Sequence, residues 1–334
     1  MVLKSVRLAA FALGLAACLW GSDSSQMQSP LLGYAAQQSP PELRAILGVP
    51  GAAVFSDPLS LPRRTMRLRL APGQQYAIIE RAQEDPAVLL LNGTETGGIA
   101  VIPGAVRALD SVSFSPSGRS AVLISQGLGR LQVITGLPQA PQLAKDIDLR
   151  LLPELPDNAA VSDDGGSVLF SSAGAVYLVL PDGSATIVLS VTPTASIAFL
   201  PASTTAAIGD PGTGSLYLFQ RLAGGTVASL LASGLPGLGQ VAASGDGKML
   251  YVTDTQSQRI WSVNVASGAV GQFDLQVSAS KLDRLRNADT FLISSEPGLP
   301  GWIFFRQGED ARTVFVPAVP RHLRRSPERV VNLK

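Results

Sequence analysis

Residues 250–268, LYVTDTQSQRIWSVNVASG, set short apolar runs between polar turns. Extended upstream to Gln240, the stretch reads strand, Gly-Asp-Gly turn, strand, polar loop, strand, Ala-Ser-Gly turn, which is three sides of an antiparallel meander. The same order recurs at residues 110–136 and 158–184, with weaker copies at 66–97, 196–225 and 281–310. Taking Leu70, Phe114, Val161, Phe199, Ala243 and Leu285 as equivalent gives steps of 44, 47, 38, 44 and 42 residues. That period belongs to a ring of four-stranded sheets, whose blades take about 40–50 residues each.

The strands themselves favour a ring over a sandwich. Segments 121–124, 168–170, 176–180 and 249–252 are nearly continuous apolar runs. Strands covered on both faces read this way, whereas a strand with one wet face alternates. The sequence therefore predicts an all-β, six-bladed β-propeller with four-stranded antiparallel blades, or seven blades if residues 30–60 contribute more than one strand. The ring is expected over residues 43–317, with residues 43–49 closing it as an outer strand on the final blade. A short helix over PPELRAIL is the competing local reading there.

Composition agrees. Of 334 residues, 33 are Gly and 24 Pro, and only 15% are charged, which suits many short strands and tight turns. Setting Lys4 and Arg7 aside leaves 24 basic residues against 25 acidic, with no dense basic stripe across the body of the chain. Nucleic acid is therefore not an expected partner.

At the N-terminus, Lys4 and Arg7 precede an apolar run from Leu8 to Ala17 that is too short to span a bilayer, so residues 1–17 read as a signal peptide. Leu15-Ala16-Ala17-Cys18 resembles the bacterial lipobox. The resemblance implies lipidation of Cys18, a tether over residues 18–42, and a membrane-anchored lipoprotein facing the periplasm or the cell surface. Cys18 is the single cysteine, so no thiol remains for a disulfide or a zinc-thiolate site.

The opening stretch also resembles the YVTN and NHL propeller repeats, through Tyr251-Val252-Thr253-Asp254-Thr255 and Arg259-Ile260-Trp261-Ser262-Val263-Asn264. The other repeats lack the Asp and the Arg-Ile pair. In such rings the loops between the second and third strands of each blade gather at one mouth. That would bring Arg81, Glu84, Asp85, Gln126, Ser172, Asp210, Asp254, Arg259 and Glu296 to a common rim, a candidate binding face for a cation or a basic partner. For Asp254 the structural alternative is a carboxylate that accepts backbone N–H groups in its own turn.

Asp146-Ile147-Asp148 and Asp163-Asp164 lack the alternating oxygen ligands of a calcium loop, and turn chemistry explains the second pair. His322 lies in a basic tail, residues 318–334, without a partner arrangement for nucleophilic catalysis. No phosphate loop or dinucleotide fingerprint follows a strand, and the three Trp residues do not build the repeats of a quinone-cofactor enzyme. No metal or cofactor is expected. The functional expectation is a monomeric, non-catalytic scaffold that binds a protein or a small ligand. The alternative is a gluconolactonase-like hydrolase with a divalent metal on the axis, and a role in envelope assembly is a third reading.

Overall fold

Seven antiparallel sheets, arranged as a β-propeller, make up the computed structural model, which describes residues 30–151, 155–222, 225–279, 281–287, 289–294, 299–308 and 310–318. Blade 1 has three strands, β1 (Leu31–Gln38), β2 (Pro41–Val49) and β3 (Ala52–Pro58). Blade 2 is β4 (Thr65–Leu70), β5 (Tyr76–Arg81), β6 (Ala87–Asn92) and β7 (Glu95–Val101). Blade 3 is β8 (Ser111–Phe114), β9 (Ala121–Ser125), β10 (Arg130–Thr135) and β11 (Gln142–Asp148). Blade 4 is β12 (Asn158–Val161), β13 (Val168–Ser172), β14 (Ala175–Val179) and β15 (Ala185–Ser190), and blade 5 is β16 (Ser196–Phe199), β17 (Ala206–Asp210), β18 (Ser215–Leu222) and β19 (Gly225–Ala232). Blade 6 is β20 (Leu238–Ala243), β21 (Met249–Asp254), β22 (Arg259–Asn264) and β23 (Val270–Asp274). Blade 7 is β24 (Asp283–Arg284), β25 (Thr290–Ser294), β26 (Gly301–Gln307) and β27 (Asp310–Val316).

The blade count is seven, not six. Each residue used to set the repeat ends, or directly follows, an innermost strand: Leu70, Phe114, Val161, Phe199, Ala243 and Leu285. The extra blade comes from residues 31–58. Residues 43–49, expected on the final blade and alternatively as a helix, instead form most of β2. The ring thus begins at Leu31 rather than residue 43.

Seven apolar clusters, one between each pair of neighbouring blades, hold the ring together. Strand β9 shows how the sequence does this. Ala121 and Leu123 pack towards blade 2, while Val122 and Ile124 pack towards blade 4. Successive side chains of a strand point to opposite faces, and here both faces are dry, so the run must be apolar throughout. Closure is likewise a packing contact, with Leu285, Leu292, Ile303 and Val316 of blade 7 meeting Leu32, Ala35, Ile46 and Ala53 of blade 1.

Blade 1 runs backwards. Tyr34 bonds to Gln74, which follows β4, while Gln38 bonds to Leu68 earlier in β4. Arg286, just after β24, donates its N–H to the Leu32 carbonyl at 3.2 Å. Strand β1 is therefore antiparallel to the inner strands on both sides. Parity requires it: four alternating strands return the chain to the end where it entered. Three strands deliver it to the start of β4 only if the innermost one is reversed.

The reversed strand is fastened by amide side chains. The Tyr34 N–H donates to Gln74 Oε1 at 2.6 Å, and Gln74 Nε2 donates to the Tyr34 carbonyl at 3.1 Å, so a fully buried Gln74 imitates a neighbouring strand. Reciprocally, Gln38 Nε2 donates to the Leu68 carbonyl at 2.7 Å and its Oε1 accepts from the Leu68 N–H at 3.3 Å. The approach is close enough to need Gly33, where an added Cβ would lie 2.5 Å from Gln74 Oε1 and 2.8 Å from Leu285 Cδ2.

Candidate functional site

The innermost strands enclose a cavity of about 600 Å³ on the ring axis. Most of its neutral polar lining is already committed to holding the blades together. Asn158 Nδ2 donates to the Ala195 carbonyl at 3.4 Å, Ser196 Oγ accepts from the Val241 N–H at 2.9 Å, and Gln240 Oε1 accepts from the Leu282 N–H at 3.0 Å. Each of these bonds runs from one blade to the backbone of the next. With Gln38, they form a chain of side-chain-to-backbone bonds around the axis.

Charge in the cavity lies on one side. The residue immediately before the repeat position is Arg69, Ser113, Ala160, Ala198, Ala242 or Arg284 in blades 2 to 7, and all six line the cavity. Four are small; the two arginines belong to the blades that flank the reversed strand. Lys281 and Asp283 add a second pair on blade 7, with Lys281 Nζ 2.8 Å from Asp283 Oδ2. The cavity wall thus carries three cations and one anion.

Neither arginine has a carboxylate within ion-pair distance among the described residues. Arg69 Nη1 makes a long 3.5 Å contact with the Leu68 carbonyl. Arg284 donates to the Ala243 carbonyl, and its guanidinium carbon sits 5.9 Å from the centre of the Phe291 ring. Burial pushes the Arg284 pKa below the usual arginine value, partly offset by the more distant Asp289 and Asp163.

The rim residues lie elsewhere, and most are engaged with nearby side chains or backbone. Arg81 pairs with Glu84 at 2.5 Å, Asp85 with Arg107 at 2.7 Å, and Arg259 with Asp274 at 3.1 Å. Arg259 also stacks over Trp261, its guanidinium carbon 5.0 Å from the ring centre. Gln126 Nε2 donates to the Pro156 carbonyl at 3.1 Å, and Ser172 is buried. Asp254 is buried and accepts the N–H groups of Gln256 and Ser257 and the Ser257 hydroxyl. Asp210, also buried, accepts from Thr192, Gly212 and Thr213. Burial alone would raise the Asp210 pKa, but the hydroxyl bonds from Thr192 and Thr213 and the backbone N–H bonds outweigh it and hold it below the usual carboxylate range. None of these residues lines the axial cavity. Cys18, Glu296 and His322 lie outside the described residues.

Asp163 does more than shape its turn. Its Oδ1 accepts from the Ser117 N–H of blade 3 at 2.7 Å, and its Oδ2 accepts from the Ala202 N–H of blade 5 at 2.9 Å. One carboxylate on blade 4 therefore ties three adjacent blades. Neither these contacts nor the Gln74 clamp could be read locally, because their partners are about 40 residues away in the chain.

A divalent metal does not fit this axis. Among the described residues no three or more His, Cys, Asp or Glu side chains stand together as a ligand set. The cavity's carboxylate, Asp283, is already paired, and an entering cation would face Arg69, Lys281 and Arg284. Among the described residues, the ligand set of a lactonase-like metal centre is not present there.

No protein-family model and no curated protein matches the chain. Solved structures resemble it in fold. A functionally unknown protein from Desulfotomaculum acetoxidans DSM 771 superposes with a TM-score of 0.59 at 14% identity, covering 87% of this chain and all of that one. A protein from Lactobacillus plantarum gives 0.57 at 13% identity over 88% of this chain and 97% of its own. The β-propeller domain of Myceliophteria thermophila Cps50 (Swd1) gives 0.54 at 13% identity, over 76% and 88%. At these identities the likeness is one of fold alone, and the shared fold is the β-propeller.

Proposed function

We propose that this protein is an exported, lipid-anchored, non-catalytic binding protein, and that the axial cavity holds its ligand. The observation that carries the reading is the cavity itself: about 600 Å³ is in the usual range for a small-molecule site. Most of its neutral polar groups bond between blades, and its charged groups are two arginines and a Lys–Asp pair. Such a lining can bind and orient, but it offers no nucleophile with an oriented base. Export and anchoring rest on the Lys4/Arg7 leader and the Leu15–Cys18 lipobox, and kinship with the YVTN and NHL repeats on residues 251–264.

The test is mass spectrometry under non-denaturing conditions on protein purified from its own membranes, comparing wild type with Ser113→Trp, which puts an indole into the cavity beside Phe114. The proposal predicts a bound small molecule on the wild type that is missing from the variant. Equal occupancy of both would refute it.

A further inference from the structure

We infer that the ligand of the axial cavity is a small amphipathic anion: a single carboxylate on an aliphatic body. The inference rests on the reading of the cavity as the binding site and adds the ligand's chemical class.

Three observations converge. First, Arg69 and Arg284 occupy the same level of the ring on the two blades that flank blade 1, and no described carboxylate pairs with either at close range. Glu80 acts on Arg69, and Asp289 and Asp163 on Arg284, only at longer range. A planar guanidinium is matched by a carboxylate, which can accept two parallel N–H bonds.

Second, much of the remaining wall is apolar and recessed. Val112, Phe114 and Val241 line it, and the small side chains of Ala160, Ala198 and Ala242 leave the room that the arginines would otherwise fill. A hydrocarbon body finds dispersion partners there, whereas a compact inorganic anion would leave that half of the cavity unused.

Third, the reversed strand offers a hydrogen-bonding edge between the two cations. Tyr34 turns its backbone N–H and carbonyl to the inner edge, where Gln74 meets them. In the antiparallel register Ala36, two residues on, turns its own pair to the same edge, and Ala36 lines the cavity. Arg69 and Arg284 leave their strands on the faces turned to blades 3 and 6, so the carboxylate meets one guanidinium or the other, with the free edge at Ala36 between them and the tail towards blades 4 and 5.

Isothermal titration of the purified protein with decanoate, decanol and a hydrophobic pentapeptide with a free C-terminus tests this. Decanoate is expected to bind at least tenfold more tightly than decanol. Arg69→Gln is expected to remove most of that preference while leaving decanol binding unchanged, and raising salt to 0.5 M is expected to weaken decanoate only. Equal binding of decanoate and decanol would overturn the anionic class while leaving the cavity as a binding site. Tighter binding of the peptide than of decanoate would overturn the small-molecule assignment. If neither alkyl ligand binds, the class is wrong, and the non-denaturing mass measurement on wild type and Ser113→Trp separately decides whether the cavity binds anything. Arg284→Gln serves as a second variant, with circular dichroism as the folding control because Arg284 also packs on Phe291.

Discussion

Replacing Gln74 by alanine isolates what fastens the reversed first blade. The side chain is 1% exposed and makes two hydrogen bonds to a single residue of β1, at 2.6 and 3.1 Å. Alanine would strand the Tyr34 N–H and carbonyl on an edge that no strand covers. Each buried polar group left without a partner costs about 1–3 kcal/mol. The two together give about 2–6 kcal/mol, and we expect about 4 because both bonds are well formed. That is a large share of the total stability of a folded domain, about 5–15 kcal/mol. Alanine keeps the left-handed backbone at φ 51°, so the comparison is not complicated by relief of strain. Urea unfolding followed by far-ultraviolet circular dichroism measures the change as a shift in midpoint at constant slope. Gln74→Glu, which can accept the N–H but cannot donate to the carbonyl, should also destabilise. A loss below about 1 kcal/mol for Gln74→Ala would refute the clamp as the fastening of blade 1.

Other consequences follow from the same contacts. Gly33→Ala should destabilise by about 1–3 kcal/mol in the same unfolding assay, since its methyl would press on Gln74 and Leu285. Asp163→Asn should cost about 1–3 kcal/mol at pH 7, because an amide offers one acceptor oxygen where two N–H donors converge. The Asp163 difference should depend on pH. Burial works to raise its pKa, but the bonds from Ser117 and Ala202 prevail and set it below the ordinary value. A depressed carboxylate stabilises the fold above its unfolded pKa of about 3.9 and loses that contribution as pH falls through the folded value. The gap between wild type and Asp163→Asn should therefore be full at pH 6 and shrink below about pH 4; a gap that widens in acid would contradict the sign. Asp254→Ala should lower stability by about 2–3 kcal/mol and leave decanoate affinity unchanged, a change in affinity placing the site on the rim instead. Cys18→Ser should abolish radiolabelled palmitate incorporation, and labelling that persists would remove the anchor.

Much of the ring was legible because propeller blades repeat a local pattern. Phe114, Val161, Phe199 and Ala243 end inner strands in the same way, and a hairpin turn follows each, so a simple alignment finds them. Blade 1 escaped for a physical reason. With three strands and reversed polarity, and with Ser39-Pro40 after its inner strand in place of the longer polar turns of blades 3 to 6, it does not present the pattern that marks the others. LLGYAAQQ reads as a linker, and Pro41-Glu42-Leu43 imitates a helix start.

The rim was placed on polar loops, as loop position suggests, but the engagement of those side chains by partners in their own turns and neighbouring strands is a property of distance that the sequence does not display. The cavity was hidden for the opposite reason. Arg69 and Arg284 sit in short strands beside other charged residues and look like incidental charges until the ring brings them to one level. Asn158, Ser196 and Gln240 are similarly ordinary in sequence; their use becomes visible only across blades.

The account stands or falls on where a ligand sits. A crystal structure of the protein with bound decanoate is the most direct measurement. It should show the carboxylate on the axis within hydrogen-bonding distance of Arg69 or Arg284, with the alkyl chain against Val112, Phe114 and Val241. Density instead at the loops carrying Asp210 and Asp254, with the axis filled by solvent, would contradict it.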